Sequence, residues 1–191
     1  MIRYVPNVLT LLRLALVPYV LRLLWRHEYG WAVFWGGLAS VTDALDGFLA
    51  RRLGARTRIG AYLDPVADKL LLSGAYLVFG LTGAIPWWIT AIVLGRDLLI
   101  LLFVAAAFLF TTVREFPPSV WGKVSTLTQI CAGLAVLIAG IVTVPAAVVW
   151  FALMLAAAAT IWSLIHYAFA AAGIVRRARS QAAGSAQRTA H

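Results

Sequence analysis

Charge is what this chain has least of. Only 12% of its 191 residues are charged and only seven are acidic, where an ordinary soluble domain is about a quarter charged. Hydrophobic residues make up 63% of the sequence, and the mean hydropathy is +0.91. That scarcity of charge excludes an ordinary soluble domain and points to an integral membrane protein. Cysteine is also scarce: with Cys131 alone, no intrachain disulfide forms and the redox compartment stays open. Cys131 sits in an apolar run and reads as inert core packing. The apolar runs lack the period-2 alternation of a barrel strand. Lipid admits only helices or closed barrels, so helices remain. A small-residue cleavage site is missing too, and Arg13 interrupts the first apolar run. The N-terminal stretch is therefore expected to be retained and not removed as a signal peptide. No internal repeat and no second soluble domain is visible.

What is present sorts into spans and punctuation. A membrane-crossing helix needs about 20 mostly apolar residues. Six segments qualify, at roughly 7–25, 30–50, 61–82, 86–111, 122–143 and 145–172. Gly30, Gly83, Pro86, Pro117, Pro118 and Pro145 mark the breaks. The expected fold is all-α, a polytopic membrane bundle of about six transmembrane helices over residues 1–179, with 180–191 as a disordered polar tail.

The formal net charge is +9. So basic a chain invites nucleic acid as a partner, but the distribution argues against it. Arg51, Arg52, Arg56 and Arg58 join the second and third segments, Arg114 and Lys123 the fourth and fifth, and Arg176, Arg177 and Arg179 follow the sixth. The loops near 83–86 and 143–145 carry no charge, and only Arg22 and Arg26 run against the trend. This is the inside-positive bias of a membrane protein, and it places both termini and the arginine-rich loops on the cytoplasmic side. The eight tryptophans fit interface belts, and His27 and His166 lack partners at metal-ligand spacing.

Four of the seven acids fall between Asp43 and Asp68. Asp43 and Asp46 are three apart, Asp64 and Asp68 four apart, so each pair shares a helical face. Like charges gathered near a membrane are costly unless something cancels them. Two divalent cations bound by oxygen ligands are the simplest canceller, with Mg²⁺ or Mn²⁺ suited to carboxylates. Two such ions can clamp a diphosphate and stabilise attacking and leaving oxygens. Gly47 and Ala50 lie on the Asp43 face and leave room for a ligand, and Arg51 can hold a phosphate. Gly60 relieves crowding or shapes the next helix. Pro65 suits a first helical turn with Asp64 as N-cap. The bland readings are ion pairs of Asp43 and Asp46 with Arg51 and Arg52, Asp68 pairing Lys69, and Gly47 and Ala50 as helix-packing residues.

The whole pattern, Asp43-x2-Asp46-Gly47-x2-Ala50-Arg51-x8-Gly60-x3-Asp64-x3-Asp68, resembles the signature of the CDP-alcohol phosphatidyltransferases at all eight positions. Pro6-Asn7-Val8-Leu9-Thr10-x2-Arg13 is similar to that family's first-helix motif, and the resemblance spans roughly residues 4–175. It implies a six-helix membrane enzyme, a homodimer, that moves a phosphatidyl group from CDP-diacylglycerol to an alcohol and releases CMP. It also implies that Asp43, Asp46 and Asp64 bind two metal ions. Asp68 would complete the metal site and act as base on the acceptor hydroxyl. Gly47, Ala50, Arg51 and Gly60 would meet the nucleotide, with Thr10 and Arg13 of the first-helix motif also on the substrate side. The setting implied is a bacterial inner membrane with the site near the cytoplasmic face.

Leu63-Asp64-Pro65-x-Ala67-Asp68-Lys69 and Gly122-Lys123-x2-Thr126 resemble the glycerol-type branch, which includes phosphatidylglycerophosphate synthases and cardiolipin synthases. Arg96 and Lys123 are candidates for an acceptor or lipid phosphate. The alternatives are a local Arg96–Asp97 pair and a loop lysine obeying the charge bias. The fourth segment has no further Arg or Lys after Arg96 until Arg114. That shortage favours phosphatidylglycerol, with one phosphate charge and its own anchors, over glycerol 3-phosphate. A transporter is the rival from another class, since intramembrane carboxylates mark ion pathways. The missing repeat and the clustering of acids at one end count against it.

Overall fold

A computed structural model describes residues 5–53, 58–110 and 120–188, and the side chains within 15–42, 69–102 and 120–168. The described residues form six helices and no strand: α1 Val5–Trp25, α2 Tyr29–Leu53, α3 Arg58–Leu81, α4 Trp87–Phe110, α5 Val120–Ala139 and α6 Ala146–Arg188. They coincide with the six segments expected from hydropathy, shifted by a few residues at the ends, except that α6 runs on well past residue 172 to Arg188. Among the described residues, two helical stretches, Val120–Ala139 and Ala146–Ala168, are long and apolar enough to cross a membrane.

The turns follow local chemistry. After α1, His27 adopts φ 60°. Its N–H donates to Leu24 at 3.0 Å and that of Glu28 to Leu23 at 2.9 Å. This is a left-handed C-terminal closure with histidine where glycine is usual. Gly83, at φ 75°, ends α3 and needs its missing side chain to do so. Pro86 and Pro145 stand immediately before α4 and α6, where a missing N–H costs nothing.

Packing closes the helices into a ring, in the order α1, α2, α5, α6, α4, α3 and back to α1, with α3 also touching α5 across it. Short turns make α1–α2, α3–α4 and α5–α6 antiparallel hairpins. The described apolar core lies towards those three turns: Leu23 and Leu24 of α1, Ala32 of α2, Tyr76 and Phe79 of α3, Ile89 and Val93 of α4, Val136 of α5 and Leu153 of α6.

Alongside that apolar core, polar side chains are buried and large apolar ones are exposed. Thr90, Arg96, Ser125, Gln129, Thr160 and Ser163 are buried, while Leu98, Leu101, Leu127, Phe151 and Trp162 lie exposed. Tyr76 Oη donates to the Gln129 carbonyl at 2.9 Å, Thr90 Oγ1 to the Tyr76 carbonyl at 3.0 Å, and Gln129 Nε2 to Thr160 Oγ1 at 2.9 Å. Four helices are thus joined by buried hydrogen bonds, the device that substitutes for the hydrophobic effect where the surroundings are equally apolar.

Three expectations need correction. Cys131 is exposed on α5 and not in the core, because an apolar outer face accepts a thiol as readily as an apolar interior does. α3 begins at Arg58, so Asp64 lies inside the helix and is not its N-cap, and Pro65 falls beyond the first turn. Residues 180–188, expected as a polar tail, continue α6 as helix. Their alanines favour that conformation.

Candidate active site

The four aspartates sit on two consecutive helices at one end of the bundle. Asp43 and Asp46 are in the C-terminal half of α2 with Gly47, Ala50 and Arg51; Asp64 and Asp68 are in the first half of α3, after Gly60. Thr10 and Arg13 are on the N-terminal half of α1, which packs against both α2 and α3. The backbone therefore assigns the whole signature to three neighbouring helices. The side chains of Thr10, Arg13, Asp43, Asp46, Gly47, Ala50, Arg51, Gly60, Asp64 and Asp68 lie outside the described ones. Arg56 and Arg114 lie outside the described residues altogether.

The first described side chain after Asp68 belongs to Lys69, and it opens a polar cluster one helix further round the ring. Lys69 Nζ donates to Asp97 Oδ1 at 2.8 Å, and Ser73 Oγ donates to Asp97 Oδ2 at 3.1 Å. Lys69 and Ser73 are one turn apart on α3, so one carboxylate of α4 holds both. Arg96 Nη1 donates to the same Oδ1 at 2.6 Å, and its Nη2 reaches Ser163 Oγ of α6 at 3.4 Å. Arg96 is 5% exposed, and its Nε has no partner among the described residues. The expected Arg96–Asp97 pair is present, but as the centre of an assembly that spans three helices. Lys69, which the bland reading would pair with Asp68, is bonded to Asp97, 28 residues away.

Lys123 is exposed in the first turn of α5. Trp121 beside it meets Trp162 of α6 edge-on, with ring centroids 5.9 Å apart. Arg96 and Lys123 are thus on different elements, one buried and tied, the other exposed. Sequence reading singled out Arg96 and missed Lys69, Ser73, Asp97 and Ser163 as one unit. The adjacency of Arg96 and Asp97 was legible, whereas Ser163 is 67 residues away and leaves no local mark. Among the described residues no group of three or more metal-ligating side chains occurs.

The family model described as CDP-alcohol phosphatidyltransferase matches residues 3–177. A CDP-diacylglycerol–glycerol-3-phosphate 3-phosphatidyltransferase of Pectobacterium atrosepticum is 36% identical over 190 residues, covering 87% of this chain and 94% of its own length. A Mycobacterium tuberculosis protein carrying the name phosphatidylglycerophosphate synthase is 39% identical over 160 residues, covering 78% of this chain and 74% of its own. A Mycobacterium bovis protein carrying the name cardiolipin synthase is 43% identical over 97 residues, which is 50% of this chain and 46% of its own. No solved structure matches.

Proposed function

This chain belongs to the CDP-alcohol phosphatidyltransferase family, and on that premise we propose that it transfers the phosphatidyl group of CDP-diacylglycerol to a glycerol-type alcohol, releasing CMP. The observation that carries the reading is the aspartate pattern. It falls inside the matched stretch and is divided between the adjoining ends of α2 and α3, at the arginine-rich end of the bundle.

An all-carboxylate donor set fits hard divalent cations such as Mg²⁺ or Mn²⁺, and Asp43, Asp46, Asp64 and Asp68 would hold two of them. Bound there, the ions supply charge neutralisation for the diphosphate and the departing CMP. The chain's own residues do the rest. Gly47, Ala50, Arg51 and Gly60, with Thr10 and Arg13, bind and orient the CDP-lipid. Asp68 accepts the proton of the acceptor hydroxyl as its oxygen bonds to the phosphorus that carries diacylglycerol, and the bond from that phosphorus to the CMP oxygen breaks.

Length of likeness puts glycerol 3-phosphate first as acceptor. The relatives matched over most of their length carry that activity or product in their names, while the cardiolipin synthase is matched over 46% of its own. Phosphatidylglycerol is the second reading, favoured by the shortage of free cations on α4, where Arg96 is already engaged by Asp97 and Ser163. The buried interhelical hydrogen bonds, exposed apolar faces and exposed tryptophans support a polytopic bundle of six spans. We place it in a bacterial inner membrane as a homodimer, with the aspartate end cytoplasmic.

The test offers purified protein CDP-diacylglycerol with either acceptor and identifies the lipid by mass spectrometry. Phosphatidylglycerophosphate and CMP are expected from glycerol 3-phosphate. EDTA abolishes turnover and added Mg²⁺ or Mn²⁺ restores it. Cardiolipin formed in place of phosphatidylglycerophosphate overturns the acceptor assignment, and no CMP with either acceptor overturns the reading itself.

A further inference from the structure

The buried apolar residues described on α3 are Tyr76, Val78 and Phe79, all beyond Ser73 and towards the α3–α4 turn. Asp64 and Asp68 lie on the other side of Ser73. Between these two regions the hydrogen bonds from α3 to α4 are those of Lys69 and Ser73 to Asp97. Apolar contacts are non-directional and resist small slides and rotations weakly. A carboxylate that uses one oxygen for Lys69 and the other for Ser73, one turn further on, has a directional hold on axial position and rotation together. Arg96 shares that carboxylate and reaches Ser163, so the hold on α3 is referenced to α6 as well. Lys69 is also the immediate neighbour of Asp68 in the chain. A carboxylate that fixes this ammonium at 2.8 Å settles where the cation next to the proposed metal ligands is spent.

We infer that Asp97 is a positioning residue for the α3 aspartates. Through Lys69 and Ser73 it sets the register of α3 against α4 and α6, and with it the geometry in which Asp64 and Asp68 receive divalent cations. The inference rests on the proposed function for what those aspartates do. It assigns to Asp97 no contact with substrate or metal.

The experiment reads Mn²⁺ binding directly, by electron paramagnetic resonance of free against bound ion, on purified full-length protein in detergent. Thermal unfolding and CMP release are measured on the same samples. Asp97→Asn is expected to weaken Mn²⁺ binding by about tenfold, the usual scale for a residue that orients metal ligands. Lys69→Met is expected to behave alike. The double variant is expected to be no worse than either single one, because the two residues act through each other. Ser73→Ala, which removes one neutral hydrogen bond, tests the same geometry should Asp97→Asn fail to fold, with an expected weakening of about two- to threefold. A clamp that serves only stability lowers the unfolding temperature and leaves the Mn²⁺ affinity of the folded protein at the wild-type value, and that result overturns the inference. Multiplying effects in the double variant overturn it as well. Wild-type protein that binds Mn²⁺ but releases no CMP defeats the functional reading alone, and the Mn²⁺ titration still decides the clamp.

Discussion

Carboxylates of one sign gathered at one end of an apolar bundle repel each other until cations join them, so each aspartate has a separable consequence. Asp43→Asn, Asp46→Asn and Asp64→Asn each remove a hard oxygen charge from the proposed metal set, and turnover supported by Mg²⁺ is expected to vanish. Asp68→Asn is different. A base is needed only in the transfer step, so this variant is expected to retain CDP-diacylglycerol binding while kcat falls by about 10²- to 10⁴-fold. Equilibrium binding of labelled CDP-diacylglycerol beside steady-state CMP release separates the two outcomes. Near-normal kcat in Asp68→Asn refutes the base assignment. The eight-position pattern, and with it the family, could be read off the sequence because the pattern is local, from Asp43 to Asp68. What escaped it was non-local: nothing near Asp97 announces that Lys69 and Ser73 of α3 occupy its two oxygens.

At the scale of the helix, close approach of α3 to α4 depends on Gly80. A Cβ there would lie 2.5 Å from Thr90 Oγ1 and 2.8 Å from Trp87 Cε3. Thr90 is fully buried and its hydroxyl holds the Tyr76 carbonyl, so it has no free direction in which to yield. Gly80→Ala is therefore expected to destabilise the bundle by about 1–3 kcal/mol, the usual range for overpacking. Thermal unfolding in detergent measures it, and an unchanged midpoint shows that α3 and α4 are less tightly seated than described. Helix number and approximate bounds were legible because each apolar run has the length of a span and ends in glycine, proline or charge. Helix ends were less so. α3 starts at Arg58, ahead of the apolar run, and α6 continues past Arg179. Apolarity marks where a helix is buried, not where its backbone hydrogen bonds stop.

The molecule as a whole is polarised from end to end, and that polarity carries a test of orientation. At one end are the C-terminal half of α2, the start of α3, Lys123 and the basic stretch of α6 with Arg176, Arg177 and Arg179. At the other are the turns after α1, α3 and α5. The 82–86 and 140–145 turns are uncharged. The exception is the turn after α1, and there Arg26 lies 4.0 Å from Glu28, so part of its charge is met locally. Positive loops resist translocation, so the aspartate end is expected to stay cytoplasmic, where a water-soluble acceptor such as glycerol 3-phosphate would enter and CMP would leave. Cys131 is exposed and must first be replaced, by Cys131→Ser, to give a silent background. In that background Ala84→Cys, at an exposed position of the α3–α4 turn, is expected to react with a membrane-impermeant maleimide in intact cells. Arg56→Cys, in the basic connection between α2 and α3, is expected to react only after the membrane is opened. Labelling of residue 56 from outside intact cells reverses the orientation and puts the aspartates on the wrong side for a cytoplasmic acceptor. Equal labelling of both positions from outside removes the membrane barrier between them, and with it the six-span bundle.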